Sequence, residues 1–218
     1  SSIGLPLGAL AINAASVVGM ALLARRRAGL PAMTASVLGS LLLMRTVAWQ
    51  FLFDPWNCFV TTLPYALLAF LVWSLLCRDR WTLPIAVFVT SFLAQTHVGF
   101  VALAIPLLAV GVVGLVVREV RAGAGWWGRL ARPLAVATGV GVVVWIPTLI
   151  DTLFVDPANL GRIIDWFLHG EEAAHTVGDG AKVVGGQFGL WPEWATSTRE
   201  IALSGESIYI SEPVLPWL

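Results

Sequence analysis

Charge is what this sequence lacks. Only 12% of its 218 residues are Asp, Glu, Lys or Arg, against about 25% in soluble globular domains. That scarcity excludes a water-soluble domain with an ordinary charged surface. The chain buries most of its side chains in lipid rather than in a core of its own. Cysteine is also scarce: Cys58 and Cys77 are the two present. They bracket one apolar run and would sit about 28 Å apart along a helix, while a disulfide needs Cα atoms within about 7 Å. They do not pair with each other. Cys77 reads as a small apolar residue or as a palmitoylation site near the cytoplasm. No P-loop, dinucleotide fingerprint or nucleophile elbow occurs, and nothing points to nucleic acid. No basic leader precedes the first apolar run, so it does not read as a signal peptide.

What is present is apolar. Hydrophobic residues make up 58% of the chain and the mean hydropathy is +0.83. Six apolar runs stand out, at 5–24, 32–53, 58–77, 81–96, 98–117 and 133–150. A helix crosses the hydrocarbon core with about 20 apolar residues. Four of the runs reach that length easily; the fourth run is short and the sixth borderline. The expected fold is an all-α integral-membrane bundle of about six transmembrane helices over 1–150, with an extracytoplasmic segment over 151–218. The glycine- and alanine-rich first run, "LGALAINAASVVGMALLA", permits close helix contacts. Pro64, Pro84, Pro106 and Pro147 fall within runs, where neighbouring helices or waters satisfy the freed carbonyls. No internal repeat is visible.

The arginines give the orientation. Arg25, Arg26 and Arg27 follow the first run, Arg78 and Arg80 the third, and Arg118, Arg121, Arg129 and Arg132 the fifth; these are nine of the 13 basic residues. The loops at 25–27, 78–80 and 118–132 are therefore cytoplasmic by the positive-inside rule. The turns at 54–57 and 95–99 and the tail from Asp151 fall on the other side. That tail holds 10 of the 13 acids. The start at Ser1, without an initiator Met, and the stop at "SEPVLPWL" read as the ends of a fragment of a larger polytopic protein.

Few polar residues lie in or beside the spans. Arg45 sits in the second run, about 12 Å below its outer end at Phe53. A charge at that depth costs a few kcal/mol. It reads either as snorkelling to headgroups or a carbonyl, or as a counter-charge for a lipid phosphate or for Asp54. "FDPWNCF" puts Asp54 and Asn57 beside Trp56, and "QTHVG" collects Gln95, Thr96 and His97. The first has turn chemistry, and Trp49 and Trp56 suit an interfacial aromatic belt. Asp54 reads as a helix cap or as part of an outward-facing site. His97 reads as a satisfied histidine, a general base or a phosphate donor.

In the tail, "DPANLGRIIDWFLHG" has Leu160, Ile163, Ile164, Phe167 and Leu168 at helical spacing. Such a helix either lies on the membrane surface or packs across the bundle. "HGEEAAH" then gathers His169, Glu171, Glu172 and His175. The spacing is not the HExxH zinc pattern, and a solvated acidic loop is the plainer reading.

The stretch "FDPWNCFVTTLPYALLAFLVWSLLCRDRWTLPIAVFVTSFLAQTHVGF" resembles a segment of actinobacterial polytopic proteins related to GT-C glycosyltransferases. Those proteins in turn resemble protein mannosyltransferases and the aminoarabinose transferases of lipid A. In them a "DPWNP" turn is followed further along by "QTHVGY". Here the turns read "DPWNC" and "QTHVGF", so Cys58 and Phe100 depart from the pattern. The resemblance implies a cell-envelope enzyme of the plasma membrane that moves a sugar from a polyprenyl-phosphate donor to an extracytoplasmic acceptor. It also implies a catalytic acid in a loop preceding Ser1, so no catalytic residue is assigned to this chain. Such chemistry needs a carboxylate to activate the acceptor hydroxyl and cations or a metal to steady the leaving phosphate. Arg45, Asp54, Asn57, Gln95 and His97 are the candidate residues for the lipid-phosphate side. No cofactor is assigned, and a divalent metal stays open. The expected partners are the bilayer and the lipid-linked donor. The alternatives are a transporter or lipid flippase module, or a structural membrane subunit whose tail binds a partner.

Overall fold

In the computed structural model, which describes residues 3–47, 52–155, 159–169, 178, 202–204 and 207–209, helix α1 runs from Gly4 to Val47. It is not one rod. Gly29 within it has φ 79° and ψ −168°, a conformation open to glycine and strained for other residues. Pro31 follows, with a fixed φ that suits the first turn of a new helix. Val17 and Met44, 27 residues apart, both pack against the cluster of Met20 and Leu63. In a straight helix they would stand about 40 Å from one another. Asn13 Nδ2 also donates to the carbonyl of Leu52 at 2.9 Å. The chain therefore reverses at Gly29 into two helical arms, 4–28 and 30–47.

That reversal corrects the position of the first loop. Residues 25–27 remain helical, because arginine is a good helix former, and the turn waits for the glycine. The first arm buries Ala9, Asn13, Ser16, Met20 and Ala24, a stripe at spacings of three and four. Gly19 continues the close approach: a Cβ there would lie 2.9 Å from Leu67 Cδ1.

The short helix α2 (Asn57–Val60) leads through Thr61 into α3 (Thr62–Leu76). A 3-10 turn at Arg80–Thr82 opens α4 (Leu83–Thr96), and another at Val98–Phe100 opens α5 (Val101–Arg121). Helix α6 (Trp126–Phe154) and α7 (Asn159–His169) follow. The body is helical. Beyond it, strand β1 (Ala202–Ser204) pairs antiparallel with β2 (Ser207–Tyr209) in a small hairpin. Pro64 and Pro84 lie in the first turns of α3 and α4, where a missing N–H costs nothing. Pro106 and Pro147 are interior.

Helix α3 is the hub, packed against α1, α4 and α5, while α6 packs chiefly on α4. The core joins Leu68, Leu71, Val72 and Leu75 of α3 to Leu83, Ala86, Val89 and Leu93 of α4, with Ala104 and Leu115 of α5 and Leu130 and Ala137 of α6. The other faces of these helices expose large apolar side chains in number, among them Leu22, Leu38, Val113 and Val143. Contiguous apolar surface on this scale fits contact with lipid, not water.

Among the described residues, four helical stretches are long and apolar enough to cross a membrane: Gly4–Met44, Asn57–Leu76, Val98–Arg121 and Trp126–Phe154. The first counts as one by hydrogen-bond pattern but contains the reversal. Helix α4, the expected fourth span, has 14 residues, about 21 Å. The sixth run is longer than expected at both ends. Gly125, with φ 79°, starts α6, so Arg129 and Arg132 lie on the helix and the loop shrinks to 122–125.

Close packing at the hub is testable. A Cβ at Gly111 of α5 would meet Leu75 Cδ1 at 3.0 Å and Val72 Cγ2 at 3.2 Å. Gly111→Leu should overpack the α3–α5 contact and cost about 1–3 kcal/mol. Gly139→Leu on α6, where nothing lies within 4 Å, should be near neutral. Thermal midpoints of the two variants in detergent make the comparison.

Candidate functional site

Polar side chains gather at the two ends of the bundle, and the ends are built differently. At one end stand the arginines. Asp79, in the turn after α3, accepts from Arg26 Nη1 at 2.9 Å and from Arg27 Nη2. Arg27 Nε also donates to Ser74 Oγ at 2.9 Å, and that hydroxyl donates to Asp79 Oδ2 at 3.3 Å. On α5, Glu119 is fully buried. Its Oε1 accepts from Arg80 Nε at 2.8 Å and Arg78 Nε at 3.1 Å, and its Oε2 from Arg129 Nε at 2.7 Å. Arg129 also reaches the carbonyls of Glu119 at 3.0 Å and Ala124 at 2.9 Å. Two carboxylates thus hold five guanidiniums from α1, the α3–α4 turn and α6.

The backbone is arranged for this. Arg78 has φ 66°, a left-handed conformation that costs a non-glycine residue about 1–2 kcal/mol. It ends α3 in a Schellman turn, with Asp79 N bonded to Ser74 O at 3.1 Å and Arg78 N to Leu75 O at 2.8 Å. Glycine is the usual occupant. Arginine there carries a guanidinium onto Glu119.

At the other end are the two turns. Asp54 Oδ1 accepts from the backbone N–H of Trp56 at 2.9 Å, which closes an Asx turn. The cap position of α2 is Trp56, with no side-chain cap bond, so Asp54 shapes the turn instead of capping the helix. Asn57 is exposed as the first residue of α2, and its carbonyl accepts from Thr61 Oγ1 at 2.7 Å. Trp56 stands edge-on to Phe59, ring centroids 4.9 Å apart.

His97 ends α4. Its Nδ1 accepts from Gly99 N at 3.0 Å, which leaves Nε2 as the ring donor in the neutral form. A Cβ at Gly99 would lie 3.0 Å from the imidazole, so the small residue permits the turn. The ring meets Phe100 edge-on at 5.9 Å, and Phe100 meets Tyr65 of α3 at 5.4 Å. Gln95 faces α6: its Nε2 donates to the carbonyl of Val144 at 3.4 Å, and its Oε1 accepts from Thr148 Oγ1 at 2.8 Å. Trp145 Nε1 donates to Ser91 Oγ at 3.1 Å beneath it.

These bonds give relative depths. Tyr65 lies eight residues along from Asn57, about 12 Å of helical rise. Thr148 lies six residues before the end of α6 at Phe154, about 9 Å. The α4–α5 turn is therefore recessed along the helix direction relative to the end of α6 and to the Asp54 turn. The two turns share one end of α3 but take different flanks: Phe59 packs with Met20 and Leu63, Phe100 with the main core. The side-chain bonds of Asp54 and His97 are each local and do not join the turns. Arg45 lies on the second arm of α1, sixteen residues beyond Gly29; its side chain lies outside the described residues.

Of the acidic tail cluster, His169 ends α7 and pairs with Asp165 at 2.9 Å. Glu171, Glu172 and His175 lie outside the described residues. Among the described residues, no three His, Cys, Asp or Glu side chains converge as a metal site would need. No family model, curated protein or solved structure matches the chain.

The acids Asp79 and Glu119 escape a reading that counts arginines for orientation. The signal was present in "RDRW" and "REVR", where one acid stands among arginines. Glu119→Ala should leave three arginines competing for water and carbonyls. Their side chains are 29–42% exposed, so the loss falls below the 3–5 kcal/mol typical of breaking a dry buried pair, at about 2 kcal/mol. Glu119→Gln, which keeps the shape and one acceptor, should lose less. Thermal midpoints in detergent at low and high salt test this.

Proposed function

We propose that this chain forms the membrane bundle of a glycosyltransferase of the GT-C kind, which takes a sugar from a polyprenyl-phosphate donor to an extracytoplasmic acceptor. The observation that carries the reading is the pair of turns "DPWN" and "QTHVG", whose resemblance to that group is joined by their position at one end of α3, opposite the arginines. In this reading the arginine end is cytoplasmic. The chain crosses the plasma membrane six times, through the two arms of α1, α2–α3, α4 with its flanking 3-10 turns, α5 and α6. The recessed α4–α5 turn then faces the outer leaflet. Gln95 and His97 lie at this recessed level, and Asp54 and Asn57 toward the end of the bundle. Arg45, on the arm beside α3, supplies a cation for the lipid phosphate. No catalytic base is assigned among these residues. They provide scaffold and donor-side contacts.

Sidedness is tested with single cysteines in a Cys58→Ser/Cys77→Ser background. Asn57→Cys should react with a membrane-impermeant maleimide in intact cells, and Arg121→Cys only after permeabilisation. Labelling of position 121 from outside would overturn the topology.

The enzymatic part is tested in membranes carrying the full-length transferase to which this bundle would belong, by sugar transfer from a radiolabelled polyprenyl-phosphate donor, normalised to protein level. A charge-assisted contact to the phosphate is worth about 1.5–3 kcal/mol. Arg45→Met should therefore slow transfer about ten- to a hundredfold if the contact tightens in the transition state, with insertion intact. Arg45→Lys should recover only part, because an ammonium lacks the guanidinium fork. Transfer at the wild-type level in Arg45→Met returns this residue to snorkelling. Absence of transfer by the wild-type protein, with lipid movement across vesicles instead, favours the flippase alternative.

A further inference from the structure

Helix α7 leaves one face bare. Leu160, Ile164 and Leu168 recur every fourth residue and are 44%, 49% and 71% exposed. Ile163 beside them is half-buried. At 3.6 residues per turn these four cover an arc of about 140°, and Arg162, Asp165 and His169 an arc of about 60° opposite. The Asp165–His169 pair runs along that polar side. The helix has 11 residues, about 16 Å, half of what a crossing of about 30 Å needs. Its charged side bars burial in hydrocarbon, and its apolar side bars free solvation.

The neighbouring surface says what covers it. Helix α7 touches α6, and the end of α6 is bare and apolar: Ile150 is 53%, Leu153 74% and Phe154 81% exposed. We propose that α7 lies in the plane of the membrane–water interface beside the end of α6. Leu160, Ile164 and Leu168 face the acyl chains, and Arg162, Asp165 and His169 face water. The apolar face of α7 continues the lipid-facing surface of α6, and the chain leaves the bilayer sideways. The proposal rests on α6 spanning a membrane. It does not depend on the sugar-transfer reading.

Spin labels test it in the full chain, reconstituted in nanodiscs of phosphatidylethanolamine and phosphatidylglycerol. In the Cys58→Ser/Cys77→Ser background, labels are placed one at a time at Leu160→Cys, Arg162→Cys, Ile164→Cys, Asp165→Cys, Leu168→Cys and His169→Cys. The ratio of collision rates with oxygen and with a water-soluble nickel chelate reports depth. It should be several-fold higher at 160, 164 and 168 than at 162, 165 and 169. Adding Ile164→Asp should shift the label at 168 toward the water value. Equal, water-like ratios at all six positions would falsify the proposal. So would shielding of 160, 164 and 168 from both reagents, which marks packing on protein or on a second copy.

Discussion

Two carboxylates hold the bundle together at one end. Asp79 ties the first arm of α1 to the α3–α4 turn, and Glu119 ties that turn to α5 and α6. In lipid, apolar side chains gain little by leaving the solvent for one another, so helices associate through close packing and polar bonds. Here the polar bonds are concentrated where the helices emerge, and each acid serves several arginines. The surplus of positive charge that orients a membrane protein is thus also what clasps it. The strained Arg78 shows the strength of the demand: a conformation that favours glycine is held by arginine for the bond it makes.

With that end fixed, the lengths of the elements decide the shape of the other. Helix α4 is the shortest of the main helices and rises from the clasp for only 14 residues. Its far end cannot reach the level of Phe154 on α6, which is 29 residues long. The far end of α4 is therefore stepped down from that of α6. Gln95 and Trp145 anchor the short helix to the long one by hydrogen bonds to Thr148, Val144 and Ser91. Without such bonds the polar groups of α4 would be left unsatisfied against α6. Polar residues in the fourth run are therefore structural first, held in place by α6.

Helix content and the large-scale order of the runs were legible in composition and spacing, because these depend on local propensity and on the length of apolar segments. The first turn was expected at the arginines 25–27 but falls at Gly29 in "RRRAGLP", where the arginines favour helix and the glycine ends it. The length of α6 was less legible: Arg129 and Arg132 look like loop residues until Glu119 supplies the partner that lets them ride on the helix. Pairings across the bundle, such as Arg80 with Glu119 or Gln95 with Thr148, lie roughly forty to fifty residues apart and leave no periodic trace. The candidate residues Asp54 and His97 were visible as polar islands. Their actual bonds, to Trp56 N and Gly99 N, are turn chemistry that any Asp or His two residues before an N–H can make.

That contrast bears on how the end opposite the arginines can act. The clasp is built from charged bonds between distant elements, and moving one of them breaks several. The turns at the other end are built from local bonds, each worth about 0.5–1.5 kcal/mol net. Asp54 can exchange its bond to Trp56, and His97 its bond to Gly99, without disturbing the core around Leu68 and Leu93. A bundle pinned at one end and locally bonded at the other has its adjustable polar groups where its short helix leaves room. That distribution of stiffness follows from where the two buried acids fall in the chain.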